Sequence, residues 1–99
     1  MVIYEVTALV APGLVQDYEH YMRDDHIPAV LATGCFRRAA FARADSHRYR
    51  MRYEALSSQN LERYLARHAP ALRDDFAARF PEGVTVSREV WVVLQGWEL

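Results

Sequence analysis

His26 is the residue in this chain best suited to acid–base chemistry. An imidazole titrates near neutrality and can accept a proton, donate one or bind a ligand. It stands in Asp24-Asp25-His26-Ile27-Pro28, where proline biases the residue before it away from helical geometry, so a helix should end or kink near Asp25. A side chain at such a break can be fixed by backbone while still facing a cleft. It can equally cap the kink or bond Asp24 or Asp25, and both roles stay open.

The second group with chemical potential is basic. Arg48-Tyr49-Arg50-Met51-Arg52-Tyr53-Glu54-Ala55 alternates charged and apolar residues, and a strand sends successive side chains to opposite faces. Tyr49, Met51, Tyr53 and Ala55 then lie on a core, while Arg48, Arg50, Arg52 and Glu54 point the other way. Arg38, Arg50 and Arg52 have the forked donors that hold a carboxylate or phosphate bidentately. Ion pairs with Glu5, Glu54 and Glu89 satisfy the same guanidiniums without a ligand. Arg38, Arg50, Arg52, Glu5 and Trp91 form the candidate ligand-binding set, with His26 as the candidate catalytic residue.

Other chemistry has weaker support. His20 and Asp24 lie four apart and share a helix face with His26 nearby, but no established metal-ligand spacing is present, so no metal is expected. No cofactor is expected either. His68 sits on the apolar stripe of its own helix and reads as a core histidine. Cys35 is the only cysteine; it has no identifiable base partner, excludes an intramolecular disulfide and suits a reducing compartment. No basic-flanked apolar leader or membrane-length segment is present, which makes a soluble cytoplasmic protein the expectation.

The elements that must position these residues can be read from periodicity. Ninety-nine residues, 52% hydrophobic and 25% charged, make one domain, 1–99, able to bury roughly 65% of its unfolded surface. Val2 to Val10 alternates as a strand, with Val2, Tyr4, Val6 and Ala8 on one face and Glu5 and Thr7 on the other. A helix from about Leu14 carries Leu14, Val15, Tyr18, Tyr21 and Met22 on one stripe. Pro28 opens a short second segment that Gly34 closes. Cys35 to about Ala44 and Arg48 to Ala55 form a hairpin across Asp45-Ser46. Ser57 or Ser58 caps the next helix, in which Leu61, Tyr64, Leu65 and His68 recur at helical spacing. Pro70 interrupts it, a segment with Leu72, Phe76 and Phe80 follows, and Val84 to Leu94 is the last strand.

The order is βαββαβ, an α+β ferredoxin-like sandwich with an antiparallel sheet and helices on one face. Its other face is left with Glu5, Thr7, Arg48, Arg50, Arg52, Ser87, Glu89 and Trp91. Ile3, Leu9, Trp91 and Val93 add an apolar patch more typical of an interface than of a solvated surface. Two such sheets packed face to face give a homodimer. RNA-recognition modules share this element order, but the tyrosines here alternate opposite the arginines. The net charge of -1 also offers little electrostatic drive toward nucleic acid.

Three segments carry a resemblance to known proteins: Tyr4-Glu5-Val6-Thr7, His26-Ile27-Pro28-x-Val30-Leu31-Ala32-Thr33-Gly34-x-Phe36, and Leu61-x-x-Tyr64-Leu65-x-x-His68-Ala69-Pro70-x-Leu72. They resemble a family of small bacterial proteins of unknown function within the dimeric α/β-barrel superfamily, which includes antibiotic-biosynthesis monooxygenase-like and EthD-like proteins. The resemblance implies a ferredoxin-like subunit whose sheets pair into a barrel around a central cleft. It implies no established activity. In related barrel families a histidine of a His-x-Pro motif can line the cleft, and His26 matches it. The expected function is a homodimeric protein that binds a small organic molecule or serves as an accessory factor. The alternative is a cofactor-independent enzyme, an oxygenase or isomerase, with His26 as acid or base.

Overall fold

In the computed structural model, which describes residues 1–99, the strands are β1 (Val2–Val10), β2 (Phe36–Arg43), β3 (Arg48–Ala55) and β4 (Val84–Val92), and the helices are α1 (Val15–Tyr21), α2 (Ile27–Ala32), α3 (Ser58–Arg67) and α4 (Ala69–Arg79). They form the expected βαββαβ order. The sheet runs β2-β3-β1-β4, with every neighbouring pair antiparallel. Both helical layers cover the same face. This is the α+β ferredoxin-like fold. No helix is long and apolar enough to cross a membrane.

The alternation in β1 and β3 decides which side chains the helices cover. Tyr4 pairs with Tyr53, Val6 with Met51 and Ala8 with Tyr49, and all six are buried. They meet Tyr18 and Met22 from the first helical layer and Leu61 and Tyr64 from α3 in one core. Aromatic rings hold it together: Tyr18 lies 5.0 Å from Tyr49, and Phe36 lies 4.9 Å from Tyr64. Such pairs add roughly 0.5–1.5 kcal/mol beyond their buried area.

Four sequence expectations need correction or refinement. The first helix, expected to end or kink near Asp25, is disturbed there but does not end. Its chain widens into a π-turn over Met22–His26 and continues straight into α2. Pro28 has no N–H, and its ring would collide with the carbonyl four residues back; one wide turn relieves both conflicts without a break. Strand β2 begins at Phe36 rather than Cys35, and the register slips between Phe36 and Arg38. The bulge makes Arg37 the extra residue and sets Arg38 opposite Glu54.

Strand β4 stops at Val92 rather than Leu94, because its partner β1 begins at Val2, opposite Val92. A single further bond, from Val93 N–H to Met1 O at 3.1 Å, trails the ladder. Finally, Ile3 does not extend the exposed apolar patch, being only 2% exposed.

The remaining boundaries follow local chemistry. Gly34 has φ +76° and closes α2, a left-handed geometry glycine adopts without strain. Ser57 caps α3 by accepting the Asn60 N–H at 3.2 Å. The break before α4 falls at His68, two residues ahead of Pro70.

Candidate functional site

Beneath the helices the sheet is incompletely filled. A cavity opens between the inner faces of β1, β3 and β4 and the helices, walled by Tyr4, Tyr53, Tyr64 and Phe76 and reached by His26, Arg73 and Arg88. The space between its walls and across its mouth is about 460 Å³, of which only about 40 Å³ is clear enough to hold water. That suffices for a few water molecules and no more. An organic ligand therefore requires its walls to part. Met22 and Met51 in the wall are unbranched side chains that can give way, and α4 fully buries only Ala69 along its length.

His26 owes its position to the π-turn. The extra residue in that turn directs the imidazole between α1 and α4, with its ring 5.8 Å from Tyr21 and 5.7 Å from Phe76. Such turns frequently mark functional positions. On its other side His26 lines a shallow groove with Tyr21, Asp25, Leu72 and Asp75. Its Nδ1 is buried and has no hydrogen-bond partner. Burial first, and then the Arg88 guanidinium, hold its pKa below the usual histidine value, against a smaller opposing pull from Asp75. The imidazole is neutral at neutral pH, with an unpaired ring nitrogen. That is the state a proton acceptor or a ligand to a hydroxyl requires.

Tyr18, Tyr53 and Tyr64 around the cavity are uncharged. Burial pushes the Tyr64 phenol up to about 12, with Tyr4 adding to the effect and Arg73 and Arg88 opposing it. Burial raises Tyr53 further still. Tyr18 donates to Met51 Sδ at 3.6 Å, and Tyr4 Oη accepts from Arg73 Nη2 at 3.0 Å. These rings supply planar apolar walls and hydroxyls, but no negative charge.

The other sequence candidates are elsewhere. Glu5, Arg50, Arg52 and Trp91 share the open face of the sheet, where they line a broad shallow depression with Leu94 and Trp97. Arg50 pairs with Glu5 at 3.6 Å and Arg38 with Glu54 at 3.7 Å. Arg52 makes no ion pair. The sheet separates all five from His26, so the catalytic and ligand-binding candidates do not form one site. Glu89 faces Glu5 across the β1–β4 ladder and pairs with no arginine. Cys35 is buried and accepts a hydrogen bond from Arg63 at 3.5 Å. No three histidine, cysteine or acidic side chains come together as metal ligands would.

Arg73 and Arg88 were not singled out from the sequence. For Arg88 the signal was present: it occupies the same face of β4 as Val84, Val86 and Val90, opposite Val6, and a lone charge on an apolar strand face is anomalous. Arg73 gave no such signal, since one charged residue on a half-exposed helix is ordinary.

Comparison with solved structures supports the fold throughout. The chain superposes over its full length on the full length of a dimeric ferredoxin-like protein from an uncultured marine organism, with TM-score 0.73 and 9% identity. A variant of SnoaB, a cofactor-independent oxygenase from Streptomyces nogalater, matches with TM-score 0.69 and 17% identity over 96% of this chain and 95% of that one. A protein of Nitrosomonas europaea provisionally assigned as an antibiotic biosynthesis monooxygenase matches with TM-score 0.67 and 13% identity, over 96% of this chain and all of the other. No curated protein matches by sequence. A family profile spans residues 1–94, and the chain belongs to that family, the domain of unknown function DUF4286.

Proposed function

We propose that the protein is a homodimer, paired through the open face of its sheet, that binds a small organic molecule in the aromatic cavity beside His26. The observation that carries the binding reading is the buried, partnerless Nδ1 of His26 beside that cavity. A buried polar nitrogen left unpaired costs about 1–3 kcal/mol, and a ligand hydroxyl donating to it removes that cost. Pairing through the open face is supported by Leu9 and Trp91, 46% and 54% exposed, and by the dimeric state of one structural neighbour. In this arrangement Arg38, Arg50, Arg52, Glu5 and Trp91 serve assembly and line the space between the sheets.

Two measurements test this. Titration with 2-naphthol, followed by amide chemical shifts, is expected to perturb His26, Tyr64, Leu72 and Phe76. Perturbations confined to Glu5, Arg52 and Trp91 would move the site to the other face. Sedimentation is expected to give a dimer at micromolar concentration, and a monomer there would remove the paired-sheet arrangement.

A second reading, a cofactor-independent enzyme, is favoured by the neutral state of His26 and by the likeness to a cofactor-independent oxygenase. In it His26 Nδ1 takes a proton from the bound molecule, and the tyrosine walls keep water out. His26→Ala would then abolish turnover while leaving the fold and the dimer intact; unchanged turnover would eliminate His26 as the base.

A further inference from the structure

The charge of the cavity distinguishes it from the depressions on the open face and beside the helices that have Glu5, Glu19, Asp25 or Asp75 in their linings. With His26 neutral, Arg73 and Arg88 are the charged residues of its lining, and no aspartate or glutamate is among them. Neither guanidinium takes part in an ion pair, whereas Arg23, Arg38, Arg43, Arg48 and Arg50 each meet a carboxylate at 3.2–3.7 Å. Arg73 spends one donor on Tyr4 Oη at 3.0 Å. A guanidinium has five donors, so that bond steadies it over the tyrosine and leaves the rest unused. Arg88 projects from the covered face of β4, on the same side as Val84, Val86 and Val90. Both arginines remain exposed, which puts them at the mouth, with the aromatic walls behind them.

We propose that Arg73 and Arg88 make this cavity a receptor for aromatic carboxylates, the ring entering among Tyr4, Tyr53, Tyr64 and Phe76 and the carboxylate held at the mouth. The inference rests on the reading of the cavity as a ligand site and adds the chemical class. Flat rings on several walls favour a planar ring by offset and edge contacts, and the forked donors of arginine match the two oxygens of a carboxylate. His26, deeper and neutral, then meets a ring substituent rather than the acid group.

The test is a charge-matched ligand pair on the full chain at low salt: 2-naphthoate against the neutral 2-naphthamide, read by calorimetry and by amide shifts. The carboxylate is expected to bind about tenfold tighter or better. That preference is expected to collapse to within about twofold in Arg88→Met and in Arg73→Met, while the exposed Arg37→Met retains it. Circular dichroism confirms that each variant is folded, and the wild-type comparison stands without any variant.

Equal wild-type affinity for the two ligands, with both perturbing His26 and Phe76, would overturn the anion assignment and leave the cavity as a ligand site. A carboxylate preference that survives in both Met variants would overturn the role of these two arginines. Absence of any cavity perturbation by either ligand would overturn the underlying site as well.

Discussion

On the open face of the sheet Arg50 and Arg38 meet Glu5 and Glu54 at 3.6 and 3.7 Å, while on the covered side Arg73 and Arg88 border an aromatic cavity that contains no carboxylate. The same residue type serves two ends. Beside a glutamate, in high dielectric, an arginine is neutralised locally and contributes about 0.2–1 kcal/mol. Beside tyrosine rings, with no carboxylate in the cavity lining to pair with it, its charge stays available to whatever enters. The difference lies in the partners, since all four are arginines with exposed side chains. A basic residue in this chain is informative according to whether a carboxylate answers it.

The largest expected effect contrasts the two faces as structure. Tyr18 is fully buried and contacts Tyr49, Phe41, Phe76 and Phe80, so Tyr18→Ala is expected to cost about 3–5 kcal/mol in chemical denaturation. Arg52→Ala on the open face is expected to cost under about 0.5 kcal/mol of subunit stability. Comparable losses would mean that the open face contributes as much to the fold as the core does.

Assembly comes next. Trp91→Arg places a charge on the apolar part of the open face, and is expected to weaken the proposed dimer by about 2 kcal/mol, some thirtyfold in dissociation constant. Sedimentation with unchanged circular dichroism checks it. A dimer of undiminished affinity would show that the subunits meet elsewhere.

Glu19 ties the helical layer to the β2–β3 hairpin. It accepts from Tyr49 Oη at 2.6 Å and from Arg43 at 3.2 Å, and pairs with Arg23 at 3.4 Å. Glu19→Ala is expected to cost about 1.5–2 kcal/mol in denaturant titration, the low end of the range for bonds to a charged acceptor. The Tyr49 bond foremost holds the Glu19 carboxyl below its ordinary pKa; desolvation opposes it, and Arg23 and Arg43 add smaller lowering effects. Its stabilisation is present above the unfolded value and is lost as pH falls through the folded one. The loss in Glu19→Ala should therefore shrink in strong acid.

The smallest effect belongs to His26. Its folded pKa is depressed, so the unfolded chain binds the proton more readily. Stability should fall as pH drops below about 6.5, the unfolded histidine value, until the folded value is reached. His26→Phe should show a shallower decline over that interval. Identical pH profiles for the two proteins would mean that His26 is not desolvated, and the contrast between a neutral cavity wall and a charged mouth would go with it.

Much of this organisation was legible in the residues. Alternation in Arg48–Ala55 assigned Tyr49, Met51 and Tyr53 to the core and the arginines to the open face, because a strand has only two faces and one must be apolar. Pro28 and Pro70 marked real disturbances in both helical layers. The π-turn was not legible, since a missing N–H permits a break, a kink or a wide turn, and packing against α4 selects among them. The separation of His26 from Arg50 and Arg52 was also hidden, because which face a helical residue overlooks depends on how the helix is rotated on the sheet.

Periodicities of two and of about 3.6 leave each element one apolar face to bury, and that patterning dictates the fold. Which arginines are paired does not follow from strand register: Arg52 lies opposite Glu5, yet Arg50 holds that carboxylate. The convergence of His26, Arg73 and Arg88, from a π-turn, a helix and an edge strand, on one cavity is a product of packing. They are brought together by contacts between elements distant in the chain, and no local pattern records a meeting that depends on how three elements are docked.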